Sequence, residues 1–254
     1  LRPRLFKEVF AGRFDSMSGN VKNFIASSAE LPFHLQSSAF SQYEETTESR
    51  RRAIKELRSS IKSLPEEDQL NDLSDENLIR FIRNRKFDLG KSLDTTVQLK
   101  KFYTKHKALL SGLDGSVYKK IHDIHGFEII KNLDRQGRVI LLPNFGIITR
   151  NITPEYLQAN PNYILRMHFW LMDRLSRDPD VQVNGLILLA SFKGMGFFDV
   201  LGFSNMISIA ERKIMVKHMS LLAIRLKVAH FFETPFIIQG IFAIIKPFLS
   251  KKLS

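Results

Sequence analysis

Residues Gly185-Leu-Ile-Leu-Leu189 form an unbroken apolar run of strand length, and a strand that is apolar on both alternating faces must be covered on both sides. Such a strand belongs inside a sheet with helices above and below it. Phe127 to Lys131 and Arg138 to Leu142 also read as strands, joined through the turn-forming Asp134-Arg-Gln-Gly137, which predicts a hairpin. A helix is expected from about Pro154 to Arg177, apolar over a wide arc through Ile164, Leu165, Met167, Trp170, Leu171 and Leu175. A helix near 199–219, a strand from Arg225 to Phe232 and an apolar helix over 236–245 follow. Beyond Gly115 strands alternate with helices, so the fold class is α/β with a central sheet and helices around it.

The chain before Gly115 reads differently. Ala53, Ile54, Leu57 and Ile61 recur at helical spacing. Ser74 is placed to cap a second helix, with Asp75 and Glu76 at the positive end of its dipole and Leu78, Phe81 and Ile82 as its inner stripe. A third helix is expected from Lys91 to His106, with Leu93, Val97 and Phe102 inward. Residues 49–112 are thus a small helical unit, and 113–254 are the α/β unit. Residues 1–48 mix Ser, Gly, Glu and scattered Phe without sustained periodicity, the composition of a poorly ordered extension.

The chain has no Cys, which removes disulfide frameworks, thiolate nucleophiles and cysteine-ligated zinc, and fits a reducing, cytoplasmic compartment. Its 21 Phe against 5 Tyr and 1 Trp put most aromatic surface where no polar handle is needed, in a core or a cavity. A formal charge of +12 attracts polyanions, nucleic acid or an anionic leaflet alike. The stretch 236–245 is too short for the roughly 20 residues of a spanning helix, so membrane contact is expected to be peripheral.

Motifs for catalysis fail on inspection. After Gly194-Met-Gly196, the third glycine of a dinucleotide fingerprint is replaced by Asp199. Gly202-Phe-Ser204-Asn-Met206 lacks the closing Gly of a nucleophile elbow. His122 and His125 have no further ligands at metal spacing, and His230 reads as a core histidine in its strand. No catalytic residue, metal site or cofactor is expected. Arg80, Arg83, Arg85 and Lys86, then Arg212, Lys213 and Lys217, then Lys246, Lys251 and Lys252 are basic clusters whose plainest reading is a solvated surface. Without a recognition motif or interleaved aromatics they do not favour nucleic acid, so anionic lipid headgroups are the stronger functional reading.

Asn77-Leu-Ile-Arg-Phe-Ile-Arg-Asn-Arg-Lys-Phe-Asp88 resembles the helical-domain signature of the CRAL-TRIO family. Asp134-Arg-Gln-Gly-Arg-Val139, Val183-Asn-Gly-Leu-Ile187, Arg225-Leu-Lys-Val-Ala-His230 and Ile245-Lys-Pro-Phe-Leu-Ser250 follow in family order. The resemblance implies a lipid-exchange domain whose sheet floors an apolar cavity, closed by a gate helix matching roughly Pro235 to Leu249. An ordinary core helix is the alternative for that stretch. Carriage has a physical rationale: at about 0.8 kcal/mol per methylene, a twenty-carbon lipid faces roughly 16 kcal/mol on entering water. The chain reaches Ser254 without a closing element for the sheet, and the expectation is of a domain truncated at its C-terminus. Where the family has acidic residues after the buried strand, this chain has Ala190-Ser191-Phe192-Lys193-Gly194.

From the resemblance, the phosphoinositide-binding candidates are Arg85, Lys213, Lys217 and Lys252. Candidate cavity residues, chosen for apolarity and placement, are Phe169, Ile187, Leu189, Phe198, Phe203, Ile207, Ile238 and Phe242. The expected partners are a hydrophobic small-molecule lipid, tocopherol-, retinoid- or phosphoinositide-like, and an anionic phosphoinositide membrane surface, with no nucleic acid and a monomeric state. The alternative is a phosphoinositide-sensing scaffold that moves no cargo.

Overall fold

The computed structural model describes residues 30–130, 132–196, 198–200, 202, 206–222 and 224–236. Its helical part opens with α1 (Phe33–Tyr43) and α2 (Thr47–Lys62), followed after a short turn by α3 (Asp75–Asn84) and α4 (Leu89–Lys105). Each later helix begins on a side chain that accepts an orphan backbone N–H: Thr46 from Ser49, Ser74 from Asn77, and Asp88 from Lys91. Ala53, Ile54, Leu57 and Ile61 of α2 meet Leu78, Ile79 and Ile82 of α3 in one apolar cluster.

Helix α1 lies within the stretch read from sequence as a poorly ordered extension. Leu35, Ala39 and Tyr43, each four residues on, bury a single stripe against Val183 and Phe87. The Tyr43 hydroxyl donates to the Val183 carbonyl at 3.1 Å. Phe33 and Phe40 point outward, 89% and 58% exposed, and those outward aromatics blur the periodicity. Residues 1–29 lie outside the described residues.

The α/β part follows α5 (Lys107–Leu110) and runs α6 (Ser116–Asp123), β1 (Phe127–Ile129), β2 (Val139–Pro143), α7 (Phe145–Asn151), α8 (Pro154–Ala159), α9 (Tyr163–Arg177), α10 (Pro179–Val183), β3 (Leu186–Ser191), α11 (Ile209–Leu221) and β4 (Leu226–Phe232). The strands lie in sequence order, β1 antiparallel to β2, then β2, β3 and β4 parallel. The hairpin is held by Asp134, which accepts from the backbone N–H groups of Gln136 and Arg138 and from the Arg138 guanidinium.

Two predicted helices are revised. The long helix over 154–177 is two, because Pro161 removes a backbone donor and disfavours helical geometry at Asn160, and Asn162 turns left-handed at φ 62°. The helix near 199–219 is capped afresh at Ser208, whose hydroxyl accepts from Glu211 N–H while the Glu211 carboxylate accepts from Ser208 N–H.

Arg80 and Arg83 are not part of a solvated surface: each is 2% exposed. Spaced three apart on α3, they face the α/β part. Arg83 donates from Nε and Nη2 to the buried Glu45 carboxylate at 3.0 and 2.8 Å, and from Nη1 to Gln182 of α10 at 2.6 Å. Arg80 reaches Asp173 of α9 at 2.9 Å and Ser176 Oγ at 2.6 Å. Arg225, entering β4, donates to the Arg83 carbonyl and the Tyr43 hydroxyl. Burial alone would raise the Asp173 pKa, but the Arg80 and Arg177 guanidiniums overcome it and hold the carboxyl at about 2.

Removing one member of such a buried pair leaves the other uncompensated. Arg83→Ala is therefore expected to lower stability by about 3–5 kcal/mol in urea unfolding, whereas Lys86→Ala, at an exposed position of the same motif, is expected to change it by less than about 0.5 kcal/mol. Because Asp173 is depressed in the folded state, its stabilisation is complete above the ordinary carboxylate pKa of about 4 and is lost as pH falls from there toward 2. Arg80→Met is expected to flatten that acid limb, measured as urea midpoints between pH 6 and 2.5.

Candidate functional site

Alternation along β2 and β3 divides the sheet into two faces. Val139 pairs with Leu186 and Leu141 with Leu188, and these four join the main apolar cluster with α6, α9 and α4. Helix α9 lies across this face and buries Ile164, Leu165, Met167, His168, Phe169, Trp170, Leu171 and Leu175. Its wide apolar arc is used on several sides, against the sheet, α6, α3 and α11.

Half-buried apolar side chains pack at the edge of that cluster, and those brought by β3, α11 and the segments beside α11 form one rim: Leu188 from β3, Met206 and Ile207 before α11, Ile214, Met215 and Met219 on α11, and Ile224 before β4. Three of these are Met, whose unbranched, polarizable chains repack around irregular apolar partners. Outside the rim α11 exposes Ile209 and Val216, seven residues apart on one stripe, beside the exposed Arg212, Lys213 and Lys217. An apolar stripe flanked by cations is a poor surface for water and a good one for a lipid interface.

Inside the rim the packing is aromatic with a polar exception. Phe102 of α4 meets Phe169 edge to face at 5.8 Å and stacks on His218 at 5.5 Å. His168 and His218 are both buried. Burial pushes their pKa values down to about 4 and about 3, so both imidazoles are neutral near pH 7. A buried polar atom without a partner costs about 1–3 kcal/mol, and three ring nitrogens of this pair are in that state. The sequence reading passed over both residues. Their signal is a histidine inside an otherwise apolar helical arc, at 168 between Met167 and Phe169.

The sequence-predicted residues divide. Phe169 sits at the centre of the cluster and Ile207 in its rim. Ile187 and Leu189 point to the opposite sheet face from Leu186 and Leu188. Phe198 is 84% exposed. Phe203, Ile238, Phe242 and Lys252 lie outside the described residues. Arg85 and Lys217 converge on α4: Arg85 Nε donates to Thr95 at 2.8 Å and Lys217 to Gln98 at 3.3 Å, positions about one helical turn apart. Lys213 stands one turn before Lys217 on α11 and is exposed. His230, expected in the core, is exposed on β4, the last strand among the described residues. His125 pairs with Glu128 at 2.6 Å, and among the described residues no group of three or more His, Asp or Glu is placed to hold a metal.

The unusual segment 190–194 is anchored by its backbone. Gly146 opens α7 against Lys193 so closely that a Cβ would stand 2.0 Å from the Lys193 carbonyl oxygen, and Arg150 donates to the Gly194 carbonyl at 3.0 Å. Ser191 and Phe192 are buried, while Lys193 projects outward. Ser191 thus falls on an inward position and Lys193 on an outward one.

Comparison with known proteins supplies the assignment. Residues 124–254, just over half the chain, match the CRAL/TRIO domain model. The chain belongs to the CRAL/TRIO family. It is 29% identical over 189 residues to the alpha-tocopherol transfer protein-like protein of Mus musculus, covering 72% of this chain and 50% of that protein. The Homo sapiens counterpart is 28% identical over 228 residues, covering 87% and 61%. The chain therefore spans half to three fifths of the length of these relatives. The crystal structure of Sfh5 superposes with a TM-score of 0.51 at 13% identity, covering 82% of this chain and 79% of that one, a likeness of fold. The CRAL/TRIO match includes the sheet, α9, α11 and the rim between them.

Gly146→Ala places a methyl against rigid backbone, not a yielding side chain. It is expected to cost about 1–3 kcal/mol in urea unfolding and to speed amide hydrogen exchange locally at residues 192–195. Exchange that stays unchanged there would contradict the close approach of α7.

Proposed function

We propose that this chain binds a small hydrophobic lipid, tocopherol-, retinoid- or phosphoinositide-like, and transfers it between membranes as a carrier and not a catalyst. It works in the cytoplasm, as a monomer, meeting membranes peripherally at phosphoinositide-containing surfaces. The observation that carries this reading is the set of half-buried apolar side chains, three of them Met, that β3, α11 and the segments flanking α11 bring to the main cluster. Unbranched Met side chains at the edge of an aromatic cluster can repack around an apolar cargo. Membership in the CRAL/TRIO family supports a lipid ligand. Among the described residues no helix is long and apolar enough to cross a membrane.

Docking is proposed on the exposed side of α11 and the neighbouring end of α3, through Lys213, Lys217 and Arg85, with Lys252 as a further contributor. The cations reach headgroup phosphates while Ile209 and Val216 enter the interface. At about 1 kcal/mol per basic residue near an anionic surface, losing two charges costs close to 2 kcal/mol.

Lys213→Gln with Lys217→Gln is expected to weaken binding to phosphoinositide-containing vesicles about thirtyfold at low salt, measured by co-sedimentation. Stability should change little, because both positions are exposed. Unchanged vesicle affinity would remove the docking surface from the proposal.

A further inference from the structure

We propose that His168 and His218 are the polar end of the apolar site and select a cargo that carries a hydroxyl group. This rests on the carrier reading and adds the chemistry its cargo must have. His168 lies on the buried arc of α9 and His218 on the inner side of α11, fully buried. Their rings meet edge to face with centroids 5.6 Å apart, and Phe169, Phe102 and Tyr103 pack around His218. His168 Nε2 and both ring nitrogens of His218 have no hydrogen-bond partner. Buried polar atoms are mostly matched in proteins; among the described residues Asn77, Arg80, Glu128, Tyr163 and Trp170 leave one such atom each without a partner, whereas this pair leaves three together. Three unmatched nitrogens on two touching rings point to a polar partner, and a single group placed between the rings would engage one nitrogen of each.

The pattern of donors and acceptors identifies that group. A neutral imidazole has one N–H and one bare nitrogen. His168 hydrogen-bonds the Met215 backbone in a way that favours its protonated form, which is the mark of an N–H donating to a carbonyl. Its Nε2 is therefore the bare acceptor. His218 offers one donor and one acceptor. A hydroxyl donates to His168 Nε2 and accepts from His218 N–H in the same position. An ether or ester carbonyl only accepts and would leave His168 Nε2 empty. A carboxylate would bring a second negative charge toward Asp173, which acts on His218 and already takes up the Arg80 and Arg177 guanidiniums. Met215 and Met219 lie on either side of His218 along α11 and belong to the half-buried rim, so the pair sits one layer beneath the soft apolar surface.

The test uses the full chain, mixed with phosphatidylcholine vesicles holding equal amounts of a twenty-carbon isoprenoid alcohol and the hydrocarbon of the same skeleton. The protein is re-isolated and its bound lipid quantified by mass spectrometry. The wild-type chain is expected to prefer the alcohol at least tenfold. His168→Phe with His218→Phe keeps ring shape but removes the nitrogens, and is expected to abolish that preference by losing alcohol while hydrocarbon uptake holds. Equal uptake by the wild type, or a preference that survives in the variant, overturns the polar pair and leaves the carrier reading standing. Uptake of neither lipid by the wild type overturns both. Should the double variant not fold, imidazole ¹⁵N shifts of the wild type decide: they are expected to move when the alcohol is loaded, and unchanged shifts overturn the assignment.

Discussion

Two arginines on one helix hold the molecule together. Arg83 is neutralised by Glu45 and completed by Gln182, and Arg80 donates through Nη1 to Asp173 and Ser176, so α3 is bound at once to the α1–α2 connection, to α9 and to α10. Buried guanidiniums are tolerated only with partners in correct geometry. That requirement fixes how the helical part sits on the sheet more sharply than apolar packing, which is tolerant of small slides. Arg225 extends the constraint to β4 by donating to the Arg83 carbonyl.

The functional consequence lies further along the same side of α9. Asp173 and Ser176, which hold Arg80, stand four and seven residues beyond Phe169, and before them that side meets α11 across Phe102, Phe169, His168 and His218. There the packing is aromatic, soft at its edge and short of hydrogen bonds. Stability and function are thus divided along the length of one helix: ion pairing toward its C-terminal end, deformable apolar surface before it. Elements that must open for a ligand belong to the less strongly held parts of a fold. The rim at Met206, Met215 and Met219 has that character.

Much of this could be read in the chain. The apolar run at 185–189 placed β3 inside the sheet, Asp134 to Gly137 marked the hairpin, and Ser74 marked the start of α3, because each signal is local. The failures are of a different kind. Arg80 and Arg83 look like surface charge until their partners, 93 and 99 residues away for Asp173 and Gln182, are brought to them. Helix α1 has only three inward residues, too few for a period to stand out between Phe33 and Phe40. Leu186 and Leu188 face α9 where Ile187 and Leu189 do not, and in a run that is apolar at every position nothing local tells the faces apart. His168 and His218 gain their meaning only when α9 and α11 meet.

The central claim is that the half-buried rim over α9 and α11 receives a hydrophobic lipid. Native mass spectrometry of the full chain, purified from cells without detergent, tests it most directly. The account predicts a mass increment matching one bound apolar molecule per chain, lost on organic extraction and recovered after exposure to lipid vesicles. A chain that flies empty, and stays empty after that exposure, would contradict it.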